Sequence, residues 1–191
     1  MKMKALILNG LNSSNGKDQE INDDTIEILK KSDFSIHSVF LKEKLIAPCQ
    51  GCFDCWVKTP GICRIDDFGR EVCKLIVSYD LVVHITPVTF GGYSYNLKKA
   101  IDRTIPNLLP FFKTINGEIH HKQRYKKRAS LLVIGITEEI NENEVKIFQE
   151  LTYRNSLNMA PMAYQCLIYT RGGVFSDLDS EVHKLLKEVK K

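Results

Sequence analysis

Leu81-Val82-Val83-His84-Ile85-Thr86-Pro87-Val88-Thr89-Phe90-Gly91-Gly92-Tyr93-Ser94, running into Tyr95-Asn96-Leu97-Lys98-Lys99-Ala100-Ile101-Asp102-Arg103, is the stretch that decides how the chain folds. Its first five residues form a short, continuous apolar run that reads as a strand buried on both faces. Leu97, Ala100 and Ile101 recur at the spacing of one helical face. Between the two, Pro87 fixes the direction in which the chain leaves the sheet, and Gly91-Gly92 permits close approaches that a Cβ would block.

The same unit repeats on either side. Ala5 to Leu8 precedes Ile21, Thr25, Ile28 and Leu29 at helical spacing, and Phe34 to Leu41 precedes a face of Phe68, Val72, Leu75 and Ile76. Leu131 to Ile136 precedes Val145, Phe148 and Leu151. Gln165 to Tyr169 precedes a closing helix with Leu178, Val182, Leu185, Leu186 and Val189 inward. Five βα units predict one α/β domain spanning residues 1–191, with a five-stranded parallel sheet covered by helices on both faces. The order 2-1-3-4-5, that of flavodoxin-like sheets, fits five such units. It places a ligand beyond the carboxyl ends of the strands, between the first and third. Two stretches exceed a minimal five-unit sheet, a cysteine-rich loop at about 45–65 and an insertion at about 105–128. Connections of that length are usually functional or carry structure of their own.

Bulk properties narrow the class. The 191 residues suffice for one full core without staples. A net charge of +4, from 27 Lys and Arg against 23 Asp and Glu, is small and scattered, which argues against nucleic-acid binding. The apolar run after Met1 is too short for a signal peptide, and no segment approaches the roughly 18 apolar residues of a membrane span. The expectation is a cytoplasmic protein away from membranes, with cysteines present as reduced thiols or ligands.

Three segments carry candidate chemistry. Asn9-Gly10-Leu11-Asn12-Ser13-Ser14-Asn15-Gly16-Lys17 is small and polar and leads into a helix, where unpaired amides and the helix dipole can hold a phosphate. It is equally consistent with a plain βα turn. After the third strand, the amides of Thr89 to Gly92 would face the polar edge of an aromatic cofactor. Phe90 and Tyr93 would either stack on that cofactor or pack beneath the loop. Cys49, Cys52, Cys55 and Cys63 follow the pattern C-x2-C-x2-C-x7-C. Soft thiolates on a tight loop suit an iron-sulfur cluster, four cysteines also satisfy tetrahedral zinc, and a metal-free set of thiols beside a cofactor is the third reading. Cys73 and Cys166 stand alone in apolar surroundings and read as buried packing residues. Asp66-Asp67 reads as a helix cap. The basic run Gly117 to Arg128 would meet either an acidic electron-transfer partner or the phosphates of a nicotinamide cofactor, or serve as a solvated face or dimer contact.

Two motifs resemble a known family. Thr86 to Ser94 with Leu97-Lys98 and Ile101-Asp102-Arg103 is similar to the ring loop and following helix of flavodoxin-like NAD(P)H-dependent FMN reductases. Cys49-Gln50-Gly51-Cys52-Phe53-Asp54-Cys55-Trp56, with Lys58-Thr59-Pro60-Gly61, Cys63 and Asp66-Asp67, resembles their iron-sulfur flavoprotein branch. The likeness covers residues 4 to 104, and the second half follows in its order of elements. It implies FMN, with Asn9, Gly10, Asn12, Ser13 and Asn15 at the phosphate and ribityl chain. Pro87, Val88, Thr89, Phe90, Gly91, Gly92 and Tyr93 would surround the isoalloxazine. It further implies a [4Fe-4S] cluster on Cys49, Cys52, Cys55 and Cys63, NAD(P)H as electron donor, a small-molecule or ferredoxin-like electron partner, and a homodimer or higher oligomer. No catalytic side chain is implied, since the flavin supplies the chemistry. The first loop departs from the family pattern: Leu11-Asn12-Ser13 and Lys17-Asp18-Gln19 stand where a Ser-Pro-Arg-like run and a helix-opening Thr or Ser are usual, and the Asp18 carboxylate would repel a phosphate. The alternative is a non-catalytic flavodoxin-fold binding or redox-sensor module with weakened FMN binding.

Overall fold

The computed structural model describes residues 2–13, 16–173 and 177–189, without the side chains of Lys17, Asp18, Glu188 and Val189. Asn15, the Asp18 carboxylate and the expected inward contact of Val189 therefore lie outside the described residues.

The sheet contains β1 (Met3–Asn9), β2 (Phe34–Phe40), β3 (Leu81–Pro87), β6 (Ser130–Thr137) and β7 (Tyr164–Thr170), all parallel, in the order β2-β1-β3-β6-β7. Residues of alternating parity face opposite layers. Ala5, Ile7, Val83 and Ile134 pack under α1 (Lys17–Lys31) and α6 (Leu178–Val189). Leu6, Leu8, Val82 and Val133 pack under α3 (Phe68–Ser78), α4 (Tyr95–Asp102) and α5 (Glu142–Met159). Burial on both faces is why the central strands β1, β3 and β6 carry long apolar runs, whereas the edge strand β2 leaves Ser35, His37 and Ser38 exposed.

The expected order is recovered once the insertion is counted. Residues 105–128 contain an antiparallel hairpin, β4 (Leu108–Ile115) and β5 (Glu118–Gln123), that forms its own two-stranded sheet. Its turn is Asn116-Gly117, the dipeptide that tight hairpin turns favour. The cysteine loop likewise contains one short helical turn, α2 (Asp54–Val57). No helix among the described residues is long and apolar enough to cross a membrane.

Candidate functional site

The loops after β1 and β3 meet at the carboxyl edge of the sheet. The Gly10 amide donates to the Ile85 carbonyl at 2.7 Å, and the Ser94 hydroxyl donates to the Gly10 carbonyl at 2.7 Å. Ser94 also caps α4 through the Leu97 amide and passes its own amide to Thr86 Oγ1. One serine thus fastens both loops to the helix start. Gly10 is required by close approach: a Cβ there would lie 2.7 Å from Leu97 Cβ and 2.8 Å from Ser94 Oγ.

Within the first loop the side chains divide by role. Asn9 is buried, with its Oδ1 accepting from the Leu11 amide and its Nδ2 donating to Asn22, so it shapes the turn from inside. Asn12 is exposed, and its carbonyl receives the Lys42 ammonium at 2.5 Å. Lys42, on the 3-10 turn Leu41–Glu43, brings a cation to this loop from thirty positions away, which spacing along the chain does not reveal. α1 begins after Gly16, which as a glycine offers no side-chain cap, and whose carbonyl accepts from the amides of Gln19 and Glu20.

The second loop is a tight turn. Thr89 and Gly92 exchange both backbone hydrogen bonds, at 3.0 and 2.9 Å, with Phe90 and Gly91 at φ +49° and +69°. This alters the expectation of four outward amides: two are consumed inside the turn, and those of Phe90 and Gly91 are without a partner among the described residues. Gly91 uses its missing side chain against α5, since a Cβ there would sit 2.6 Å from Ile147 Cγ2. Phe90 stands 92% exposed at the tip, whereas Tyr93 is buried, edge-on to Phe148, with its hydroxyl accepting from Asn155. The two aromatics therefore part company, Phe90 towards solvent and Tyr93 into the core. Pro87 and Val88 continue the sheet edge, with the Val88 amide on Ile136.

Cys49, Cys52, Cys55 and Cys63 line one cavity of about 20 Å³, with Arg103 on its wall. Cys52 is exposed, Cys49 and Cys63 are half-buried, and Cys55 is buried. Burial, and next the neighbouring Cys63, pushes the Cys55 thiol above its ordinary value. Among the described residues no three His, Cys, Asp or Glu side chains converge on a position for a single metal ion. The loop is anchored at both ends. Arg103, fully buried, donates to both oxygens of Asp67 at 2.8 and 2.9 Å and to the carbonyls of Ala47 and Ile65. Asp67 also accepts from the amides of Ala47 and Gly69, the second being the expected cap of α3. Burial by itself would raise the Asp67 carboxyl, but Arg103 and those two amides outweigh it and hold the group below its ordinary value. Trp56 fixes the middle of the loop, its indole N–H shared between the carbonyls of Ile105 and Leu108. Cys73 is buried as expected and donates to the Arg103 carbonyl, with burial pushing its thiol up to about 12. Cys166 is half-buried.

This fold, with its ligand loops at the carboxyl edge, defines an α/β protein of flavodoxin-like topology. The chain belongs to the NADPH-dependent FMN reductase family, whose profile matches residues 3–151. It is similar to an iron-sulfur flavoprotein of Methanosarcina thermophila, 30% identical over 80 residues that cover 42% of this chain and 41% of that one. A second iron-sulfur flavoprotein, from Methanocaldococcus jannaschii, is 28% identical over 109 residues, 57% and 55% of the two chains. The chain spans about half the length of the curated relatives it matches. Among solved structures, an NAD(P)H:quinone oxidoreductase from Methanothermobacter marburgensis superposes with TM-score 0.67 at 14% identity, covering 100% of this chain and 95% of that one. An FMN-dependent NADH-azoreductase from Bacillus anthracis, solved in complex with FMN, superposes with TM-score 0.63 at 13% identity, covering 98% and 96%. At that identity the two likenesses establish the fold.

Proposed function

We propose that the chain is an FMN-dependent oxidoreductase that takes electrons from NADH or NADPH and delivers them to a small-molecule or ferredoxin-like acceptor. The observation that carries this is the fastening of the β1 and β3 loops to each other through Gly10, Ile85 and Ser94, which makes one continuous cradle at the sheet's switch point. The residues present fit FMN. The N-terminal end of α1 and the Lys42 ammonium favour a phosphate beside Asn12 and Ser13, and the amides of Phe90 and Gly91, without a partner among the described residues, suit the acceptor atoms of the ring edge. When bound, FMN supplies hydride acceptance from the nicotinamide and electron release to the acceptor. The chain's own work is positional. Ser94 and Gly10 keep the loops in register, Tyr93 and Phe148 stiffen the ring loop from below, and fixed amides stabilise negative charge without reorganising. The purified protein should show the two flavin absorption bands, or acquire them on FMN titration, and oxidise NADH or NADPH in the presence of an acceptor. A protein that takes up no FMN at saturating concentration overturns this reading and leaves the sensor-module alternative.

For the cysteine loop we infer a [4Fe-4S] cluster on Cys49, Cys52, Cys55 and Cys63. The supporting observation is that all four cysteines line one cavity, and soft thiolates at this spacing on a tight loop suit such a cluster. Iron and acid-labile sulfide near four atoms each per chain in anaerobically purified protein would support it. One zinc per chain, or no metal, would refute it.

A further inference from the structure

A cleft of about 450 Å³ opens under the β4–β5 hairpin, and none of the residues after β1 or β3 that form the proposed flavin cradle lines it. Val82, Ser130 and Leu131, near the starts of β3 and β6, form its floor. Because the strands are parallel, the cleft lies at the sheet edge opposite the flavin loops. Its volume falls in the usual range for small-molecule sites, roughly 300–1,000 Å³. The walls are apolar where α3, α4 and α5 end, with Ile76, Val77, Ile101 and Met159 turned towards the opening.

The polar groups are mostly committed within the protein. Gln123 donates to the Asn158 carbonyl at 2.6 Å, Asn158 Oδ1 meets His120, and Asn155 donates to Tyr93. Lys127 is paired with Asp80 at 2.8 Å, and Asp102 is paired with Lys98 at 2.6 Å. Arg128 is different. It lines the cleft, is exposed, and has no partner among the described residues. The balance is an apolar chamber with one uncompensated cation at its mouth.

We propose that this cleft is a second small-molecule site, taking an organic anion with an apolar, ring-sized body and a single carboxylate or sulfonate. The body is held by the ends of α3, α4 and α5. The charged group meets Arg128, whose planar fork suits a carboxylate or sulfonate and whose charge has nothing else to answer. Cys49 and Gly51 line both this cleft and the four-cysteine cavity, so the two spaces adjoin at that segment. The inference does not rest on flavin binding.

The test uses 2-naphthoate as probe and its neutral amide, 2-naphthamide, as control, titrated calorimetrically into the purified protein with and without added FMN. The expected result is a dissociation constant on the order of 100 μM for the acid, in keeping with ordinary ligand efficiency for a probe of this size. The amide should bind about fivefold more weakly. Arg128→Gln should reduce the preference for the acid to near one, and Met159→Trp, which fills the chamber, should abolish binding of both. FMN uptake, read by its absorbance, should be unchanged in both variants. Arg128 is exposed and its replacement leaves the fold intact, so that arm decides the matter even if Met159→Trp proves unstable. No binding of 2-naphthoate at millimolar concentration overturns the proposal, as does competition by FMN or an acid preference that survives Arg128→Gln. A protein that binds the probe but no FMN upholds this site while overturning the oxidoreductase reading.

Discussion

Replacing Asp67 by Asn should be among the most damaging single-atom changes available to this protein. The carboxylate is 5% exposed and receives four donors, Nη1 and Nη2 of Arg103 and the amides of Ala47 and Gly69, all between 2.7 and 2.9 Å. Asparagine keeps one acceptor oxygen and turns the other position into a donor. One backbone amide and one guanidinium N–H would then face an NH₂ group. Each orphaned buried donor costs about 1–3 kcal/mol, and the Arg103 charge, 0% exposed, would be left without a counter-ion. Breaking a buried pair from one side costs about 3–5 kcal/mol, and that is the magnitude expected here. In a domain of this size it should lower the thermal midpoint by about 10 °C. Urea unfolding followed by far-UV circular dichroism gives the free energy, and thiol labelling of Cys63 reports whether the cysteine loop loosens with it. The double variant Asp67→Asn with Arg103→Met should recover part of the loss, because it removes the stranded charge. A loss below about 1 kcal/mol for Asp67→Asn, or a double variant worse than the sum of its parts, would refute the assignment of this pair as the anchor of the loop.

Other outcomes follow from the same geometry. His84 is fully buried with neither ring nitrogen bonded among the described residues, and burial depresses its pKa from 6.5 to about 4. The unfolded chain therefore binds a proton first, so stability should fall as pH drops below about 6.5 and level off below about 4, by about 3 kcal/mol in all; His84→Leu should flatten that slope in denaturation curves taken across the range. Gly10→Ala, whose Cβ would fall 2.7 Å from Leu97 Cβ, should push the β1 loop away from α4, costing about 1–3 kcal/mol of stability and weakening FMN at least tenfold in a fluorescence-quenching titration. Lys42→Gln should weaken FMN several-fold and reduce the salt dependence of its binding, with no change in the thermal midpoint beyond about 1 °C, since the side chain is exposed.

How much of this the chain announced in advance depends on the range of the interaction. The strands were readable because burial on both faces leaves an unbroken apolar run, as in Leu81 to Ile85, and the helices because a single buried face imposes a period, as in Leu97, Ala100 and Ile101. The cap at Asp67 was legible in the Asp66-Asp67 pair, whereas the Ser94 cap and the Asn116-Gly117 hairpin turn emerged only in the folded chain. Cys49 to Cys63 are close in sequence, so their shared cavity was foreshadowed by spacing alone.

The rest was settled by groups that meet only when the chain is folded. Nothing in the sequence pairs Arg103 with Asp67 across thirty-six positions, or Lys42 with Asn12 across thirty. The division of Phe90 from Tyr93 follows from φ values and from Phe148 on a helix far down the chain. The cleft lined by Arg128, which has no partner among the described residues, exists because α3, α4, α5 and the hairpin come together around one space. Local sequence determines which way each residue faces, because periodicity is a property of the segment itself. Which charges find partners and which stay unanswered is decided by packing between segments, and that is where the chemistry of this protein is placed.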